Sequence, residues 1–145
     1  MWVLLMRDSP TEKGIAAYNA GRYTEAQQIF RQAVDDDVAN TTAAFYLARL
    51  HRRERRYDDA RKVLQRAIDE AEDAYLRFEA GNLFIEAGEP QLAVRQYQRA
   101  VELEPDEPRN WVALVRAMRA ARDPNAETTL QQAPAEARAL LGSTR

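Results

Sequence analysis

Alanine recurs at positions 26, 60, 93 and 126, a period of 33 or 34 residues that runs along nearly the whole chain. A second ladder, Ala33, Ala67, Ala100 and Ala133, follows seven residues behind the first. Between the two rungs of each repeat stands a large apolar residue, in order Phe30, Leu64, Tyr97 and Leu130. A third ladder, Gly14, Ala48, Gly81 and Val115, lies eleven or twelve residues ahead of the first. In a helical sequence a unit of this length means a stacked array, whose repeats bury their apolar faces only against their neighbours. The expected fold class is therefore all-α. Strand signals and glycine- or serine-rich linkers are absent, so residues 1–145 are expected to form one domain.

The start and stop signals agree with helix pairs. Ser9, Pro10 and Glu12 make a capping box with proline at the first helical position. Turns are expected near Gly21, Arg55, Gly88 and Asp123. Arg55 stands where two other repeats place Gly21 and Gly88; if that turn needs positive φ, the side chain costs up to about 1 kcal/mol. Thr24 with Gln27 is expected to restart the chain after the first turn. Asp123, as an N-cap followed by Pro124, is expected to open the second helix of the last repeat. Pro134 forces a break, leaving a short capping helix over residues 134–141.

Composition removes most chemistry. The chain has no cysteine and one histidine, His51, so a catalytic triad has a single candidate base, and a histidine satisfied within the packing is the expected role. Its five glycines form no phosphate-binding loop. Asp35, Asp36 and Asp37 are consecutive and point in different directions at a helix end, which disfavours a metal site. Glu102 and Glu104 belong to a solvated helix end. The expectation is a protein without catalysis, cofactor or metal. With a net charge of −2, no global field recruits nucleic acid, and Glu54, Asp58 and Asp59 interrupt the basic stretch between Arg49 and Arg66. The apolar N-terminus, Met1, Trp2, Val3, Leu4, Leu5 and Met6, is too short to span a bilayer. It is expected to pack on the first repeat or on a second subunit, giving a homodimer, with the cytoplasm as the expected location; read as a trimmed anchor, it would instead place the protein at a membrane or in the periplasm.

The ladders resemble the tetratricopeptide repeat, a pair of antiparallel helices in about 34 residues. Repeat one, residues 7–40, carries Gly14, Gly21, Tyr23, Ala26, Phe30 and Ala33 at the family's marked positions. Repeat two, residues 41–74, carries Leu47, Ala48, Tyr57, Ala60, Leu64 and Ala67. Repeat three, residues 74–107, carries Gly81, Phe84, Gly88, Ala93, Tyr97, Ala100 and Pro105. Repeat four, residues 108–133, has Trp111 and Leu114, lacks one residue in its turn, and reads as a degenerate terminal unit. The resemblance implies a right-handed α-α superhelix of about four helix pairs and a role as a protein-interaction scaffold.

It also implies a concave groove lined by the first helix of each pair. Carried over position by position, the peptide-binding residues are Tyr18, Phe45, Arg49, Arg52, Arg53, Tyr75, Phe78, Asn82, Arg109, Arg116 and Arg119. Phe45, Arg49, Arg52 and Arg53 share one helix face by spacing alone, as do Arg109, Arg116 and Arg119. The groove so projected is electropositive and aromatic, which suits an acidic peptide with an apolar anchor. Ion pairing of Arg49, Arg52 and Arg53 with Glu54, Glu79 or Glu86 in a solvated network is the competing arrangement. The family's chaperone-binding clamp is absent: its positions hold Thr11, Ile15, Tyr46, Tyr75 and Glu79. Self-association and nucleic-acid binding by a helical repeat are the alternative functions.

Overall fold

A computed structural model describes residues 8–142. The expected packing of residues 1–6 lies outside the described residues. Nine α-helices and no strand occur among the described residues, and the chain divides into two compact units, one ending at Ala71 and the other beginning at Glu72.

The first unit contains α1 (Pro10–Asn19), α2 (Tyr23–Asp36), α3 (Thr41–Arg53) and α4 (Tyr57–Glu70). Helix α1 pairs with α2, α3 pairs with α4, and α2 packs on α3. The capping box forms as the sequence requires: the Glu12 amide donates to Ser9 Oγ at 3.2 Å and the Ser9 amide donates to Glu12 Oε2 at 2.6 Å. Those two bonds to Ser9, the backbone one first, hold the Glu12 carboxyl below its ordinary value. Asn40 caps α3 by accepting from the Ala43 amide at 3.0 Å. Helix α2, by contrast, begins at Tyr23 with no side-chain cap, so Thr24 and Gln27 do not start it.

The second unit contains α5 (Ala74–Glu86), α6 (Pro90–Leu103), α7 (Pro108–Ala120), α8 (Ala126–Gln132) and α9 (Ala135–Gly142). Helix α5 pairs with α6, α6 packs on α7, and α7 meets both α8 and α9. The buried Asn110 amide donates to the carbonyls of Ala100 at 3.2 Å and Glu104 at 3.5 Å, and Trp111 Nε1 donates to Pro105 at 2.7 Å. These bonds tie the start of α7 to the end of α6 and so fix one wall of the site described below.

Every helix pair turns by the same device. Gly21, Arg55, Gly88 and Arg122 have φ of 76°, 60°, 76° and 56°. The following amide reaches back to the helix: Arg22 to Ala17, Arg56 to His51, Glu89 to Phe84 and Asp123 to Met118, at 2.8–2.9 Å. This is the Schellman arrangement, which requires a left-handed residue just past the helix. The fourth turn therefore uses Arg122, one residue ahead of the expected Asp123. Asp123 does not cap α8 either. Its carboxylate accepts from the Asn125 amide at 2.9 Å in a local turn, and α8 starts only at Ala126. Helix α8 is thus short at both ends, starting only at Ala126 and stopping before the Pro134 break: it has 7 residues where α2, α4 and α6 have 14.

The ladders are the core. Ala26, Ala60 and Ala93 are fully buried, as are Ala48 and Val115. A Cβ added to Gly14 would stand 2.6 Å from Phe30, and one added to Gly81 would stand 2.6 Å from two ring atoms of Tyr97. Glycine therefore occurs where the facing rung is aromatic, and the larger Ala48 and Val115 occur in the repeats whose rung is Leu64 or Leu130. An aromatic rung is accommodated by removing the facing side chain.

Candidate peptide-binding site

In the first unit an aromatic cluster spans three helices. Tyr46 of α3 is its hub: it stacks on Phe30 at 5.0 Å and 7° and meets Tyr18 and Phe45 edge-on at 5.1 and 5.3 Å. Edge-to-face and offset pairs of this kind hold their partners in place beyond simple area burial. The Arg49 guanidinium lies 5.9 Å from the ring centres of both Tyr18 and Phe45, and Arg53 lies 4.2 Å from that of Tyr23. Arg49 and Arg53 are both exposed, and among the described residues neither is paired with a carboxylate. Arg56 takes the ion pairs instead, with Asp59 at 2.8 Å and Glu54 at 3.8 Å. Arg52 is half-buried on the same helix.

His51 lies on the buried side of α3, where it is 4% exposed and meets the Gln27 side chain at 3.4 Å. Burial, reinforced by the Arg56 charge, pushes its pKa below the ordinary 6.5. It is a packing residue, as expected, and contributes nothing to an exposed surface.

The second unit contains a cavity of about 350 Å³ between α5 and α7. Phe78, Asn82 and Ile85 line it from α5, with Arg109, Val112 and Arg116 from α7. Ala113, Ala117 and Ala120 are small enough to leave the space open, and Tyr97 of α6 reaches its floor. Asn82 is held in place there: it accepts from the Tyr97 hydroxyl at 2.7 Å and donates to the fully buried Glu79 at 3.4 Å. Arg109 stands 5.2 Å from the Phe78 ring centre and 5.7 Å from that of Tyr75, which is itself 52% exposed. Among the described residues neither Arg109 nor Arg116 pairs with a carboxylate through its side chain.

Arginines laid on aromatic faces keep their in-plane N–H donors available for a ligand. Phe78, Asn82, Arg109 and Arg116 are thus brought together in one cavity, while Tyr18, Phe45, Arg49 and Arg53 belong to the aromatic surface of the other unit. Arg119 is directed elsewhere. Its guanidinium binds Glu127 of α8 bidentately at 2.9 and 3.1 Å, which raises its own pKa and lowers that of Glu127 through those hydrogen bonds. Tyr97 was legible only as a core rung, and Tyr46 only as a missing clamp position; their contacts with Asn82 and the aromatic cluster show on the three-dimensional fold alone. No group of three or more His, Cys, Asp or Glu suited to a metal ion occurs among the described residues. Nor is any described helix long and apolar enough to cross a membrane.

Comparison with curated protein sequences finds no match. Solved structures do match. MamA (residues 41 to the end) from Desulfovibrio magneticus RS-1 aligns with a TM-score of 0.72 at 21% identity, over 87% of this chain and 74% of that one. YrrB, described as a TPR protein with an unusual peptide-binding site, aligns at 0.69 and 18% identity, over 85% and 63% of the two chains. The first TPR domain of Spaghetti (RPAP3), solved with the HSP90 peptide SRMEEVD, aligns at 0.72 and 21%, over 79% and 91%. The tetratricopeptide repeat profile matches residues 11–75 and 78–141, and the chain belongs to that family.

Proposed function

We propose that the protein is a non-catalytic interaction module that binds a peptide segment of another protein, and that this segment is acidic with an apolar anchor. The observation that carries the reading is the α5–α7 cavity: Arg109 and Arg116, without carboxylate partners for their side chains among the described residues, border a space lined by Phe78, Ile85 and Val112. An unpaired guanidinium fork beside an apolar pocket matches a carboxylate next to an aliphatic or aromatic side chain. Arg49 on Tyr18 and Phe45 repeats that chemistry in the first unit. The peptide bound by the Spaghetti domain, SRMEEVD, has the same character, although the clamp positions of this chain differ.

The test begins with capture of partners on the immobilised protein, followed by affinity measurement at low and high salt. Phe78→Ala is expected to remove an anchor and cost about 2 kcal/mol or more. Arg49→Glu combined with Arg116→Glu is expected to slow association and remove much of its salt dependence. Parental affinity of the double charge reversal at low salt would place recognition elsewhere.

A further inference from the structure

The surface that borders the α5–α7 cavity continues over α7. A second cavity of about 430 Å³ opens against α9, with Pro108, Val112 and Leu140 as its apolar lining and Glu107 and Glu136 as its acidic lining. Arg109, Val112 and Arg116 line both cavities, so the two spaces meet on one helix face. Leu140 is 54% exposed, while its neighbours on α9, Ala137 and Leu141, are 0% and 3% exposed and already supply the buried face of that helix. The cap therefore packs without Leu140, which leaves an aliphatic side chain facing a cavity with no packing duty.

We infer that α9 is a second wall of the binding groove, and that the bound segment carries one isolated acidic side chain between two apolar ones. This rests on the function proposed above and specifies its ligand. The acid pairs with Arg109 and Arg116. One apolar neighbour enters the α5–α7 cavity beside Phe78, and the other lies on Leu140, Val112 and Pro108. Glu107 and Glu136 belong to the second cavity alone, so a further acid placed there meets like charge. An acidic tract is thereby disfavoured on the α9 side.

Short synthetic peptides with a fluorescent label provide the probe: a Phe-Glu-Leu core and its reverse, each within a serine–glycine background, titrated by anisotropy onto the full chain. One order is expected to bind, and replacing its Leu by Ser is expected to weaken it about tenfold or more, as removal of a buried leucine side chain does. Replacing that Leu by Glu should weaken it further. Leu140→Asp should reproduce the loss seen with the serine peptide, and Glu136→Arg should restore binding of the peptide that carries the second acid. Both positions are exposed, and an unchanged denaturation midpoint certifies the fold. If binding needs the acid and Arg116 but is indifferent to the peptide leucine, to Leu140 and to Glu136, the α9 wall is refuted while the proposed function stands. If neither order binds, both readings fall.

Discussion

Gly81 and Tyr97 offer a test of how the helix pairs choose their residues. A Cβ on Gly81 would sit 2.6 Å from Cδ1 and Cζ of Tyr97, closer than carbon atoms approach. The ring is 4% exposed and its hydroxyl is bonded to Asn82 at 2.7 Å, so displacing it toward the α5–α7 cavity would break that bond. Gly81→Ala recovers about 1 kcal/mol of helix propensity, but overpacking costs about 1–3 kcal/mol. The expected net loss is about 1 kcal/mol. In a Tyr97→Leu background the same substitution recreates the Ala48–Leu64 pairing of the second repeat, and it should become neutral or stabilising. The reversal implies a coupling energy of about 1 kcal/mol or more between the two sites. Urea unfolding followed by Trp111 fluorescence in a Trp2→Phe background reports on the second unit, because Trp111 packs on its core cluster. Additivity within about 0.5 kcal/mol would show that glycine is not selected by the aromatic rung.

The turn residues make a second case. Arg55→Gly and Arg122→Gly should each stabilise by up to about 1 kcal/mol, and Gly88→Ala should destabilise by about 1 kcal/mol, since the left-handed turn penalises a Cβ; equal midpoints for all three would contradict the φ values at these turns. Glu72, bound by Arg99 at 2.7 and 3.1 Å and by Arg77 at 2.9 Å, is pulled from 4.5 to about 2, chiefly by the Arg99 hydrogen bonds. Its stabilisation is present above pH 4.5 and is lost as pH falls toward 2; at this exposure, Glu72→Gln should cost about 1 kcal/mol at neutral pH and flatten the acid limb of the stability profile. For His51 the folded pKa lies below 6.5, so the unfolded chain takes the proton first as pH falls below that value. Stability should decline as pH falls through 6.5, and His51→Gln should remove that slope, which no other unperturbed side-chain type supplies there.

Much of the fold was legible because its constraints are periodic. The alanine ladders, the capping box at Ser9 and the break at Pro134 each rest on a local rule, and each stands in the structure. What failed was also local. Asp123-Pro124 satisfies the pattern of an N-cap with proline at the first helical position, yet the asparate turns onto the Asn125 amide and α8 begins two residues after Pro124. A side chain that can close its own turn competes with the helix for the same backbone donors. The size exchange between the third ladder and the large rung was visible in the sequence all along, as Gly14 with Phe30 and Gly81 with Tyr97. It acquires a physical cause only when the two helices are seen to pack those positions together.

The site was legible in proportion to how far each side chain is governed by its own helix. Phe78, Asn82, Arg109 and Arg116 sit in one cavity because repeat position alone sets their direction. Arg119 shares a face with Arg116 by spacing, but its destination was decided by Glu127 on the next helix, a partner that spacing along α7 does not reveal. Tyr46 illustrates the reverse. Its position is set by α3, and its importance comes from Phe30 and Tyr18, which lie 16 and 28 residues away in sequence. Arginine placement in this chain therefore separates into two classes. Arg56, Arg99 and Arg119 neutralise nearby carboxylates, whereas Arg49, Arg53 and Arg109 lie on aromatic rings and, among the described residues, have no carboxylate paired with their guanidinium. A guanidinium held on a ring is fixed in place yet still has donors to offer, and that combination is what recognition of an anionic segment requires.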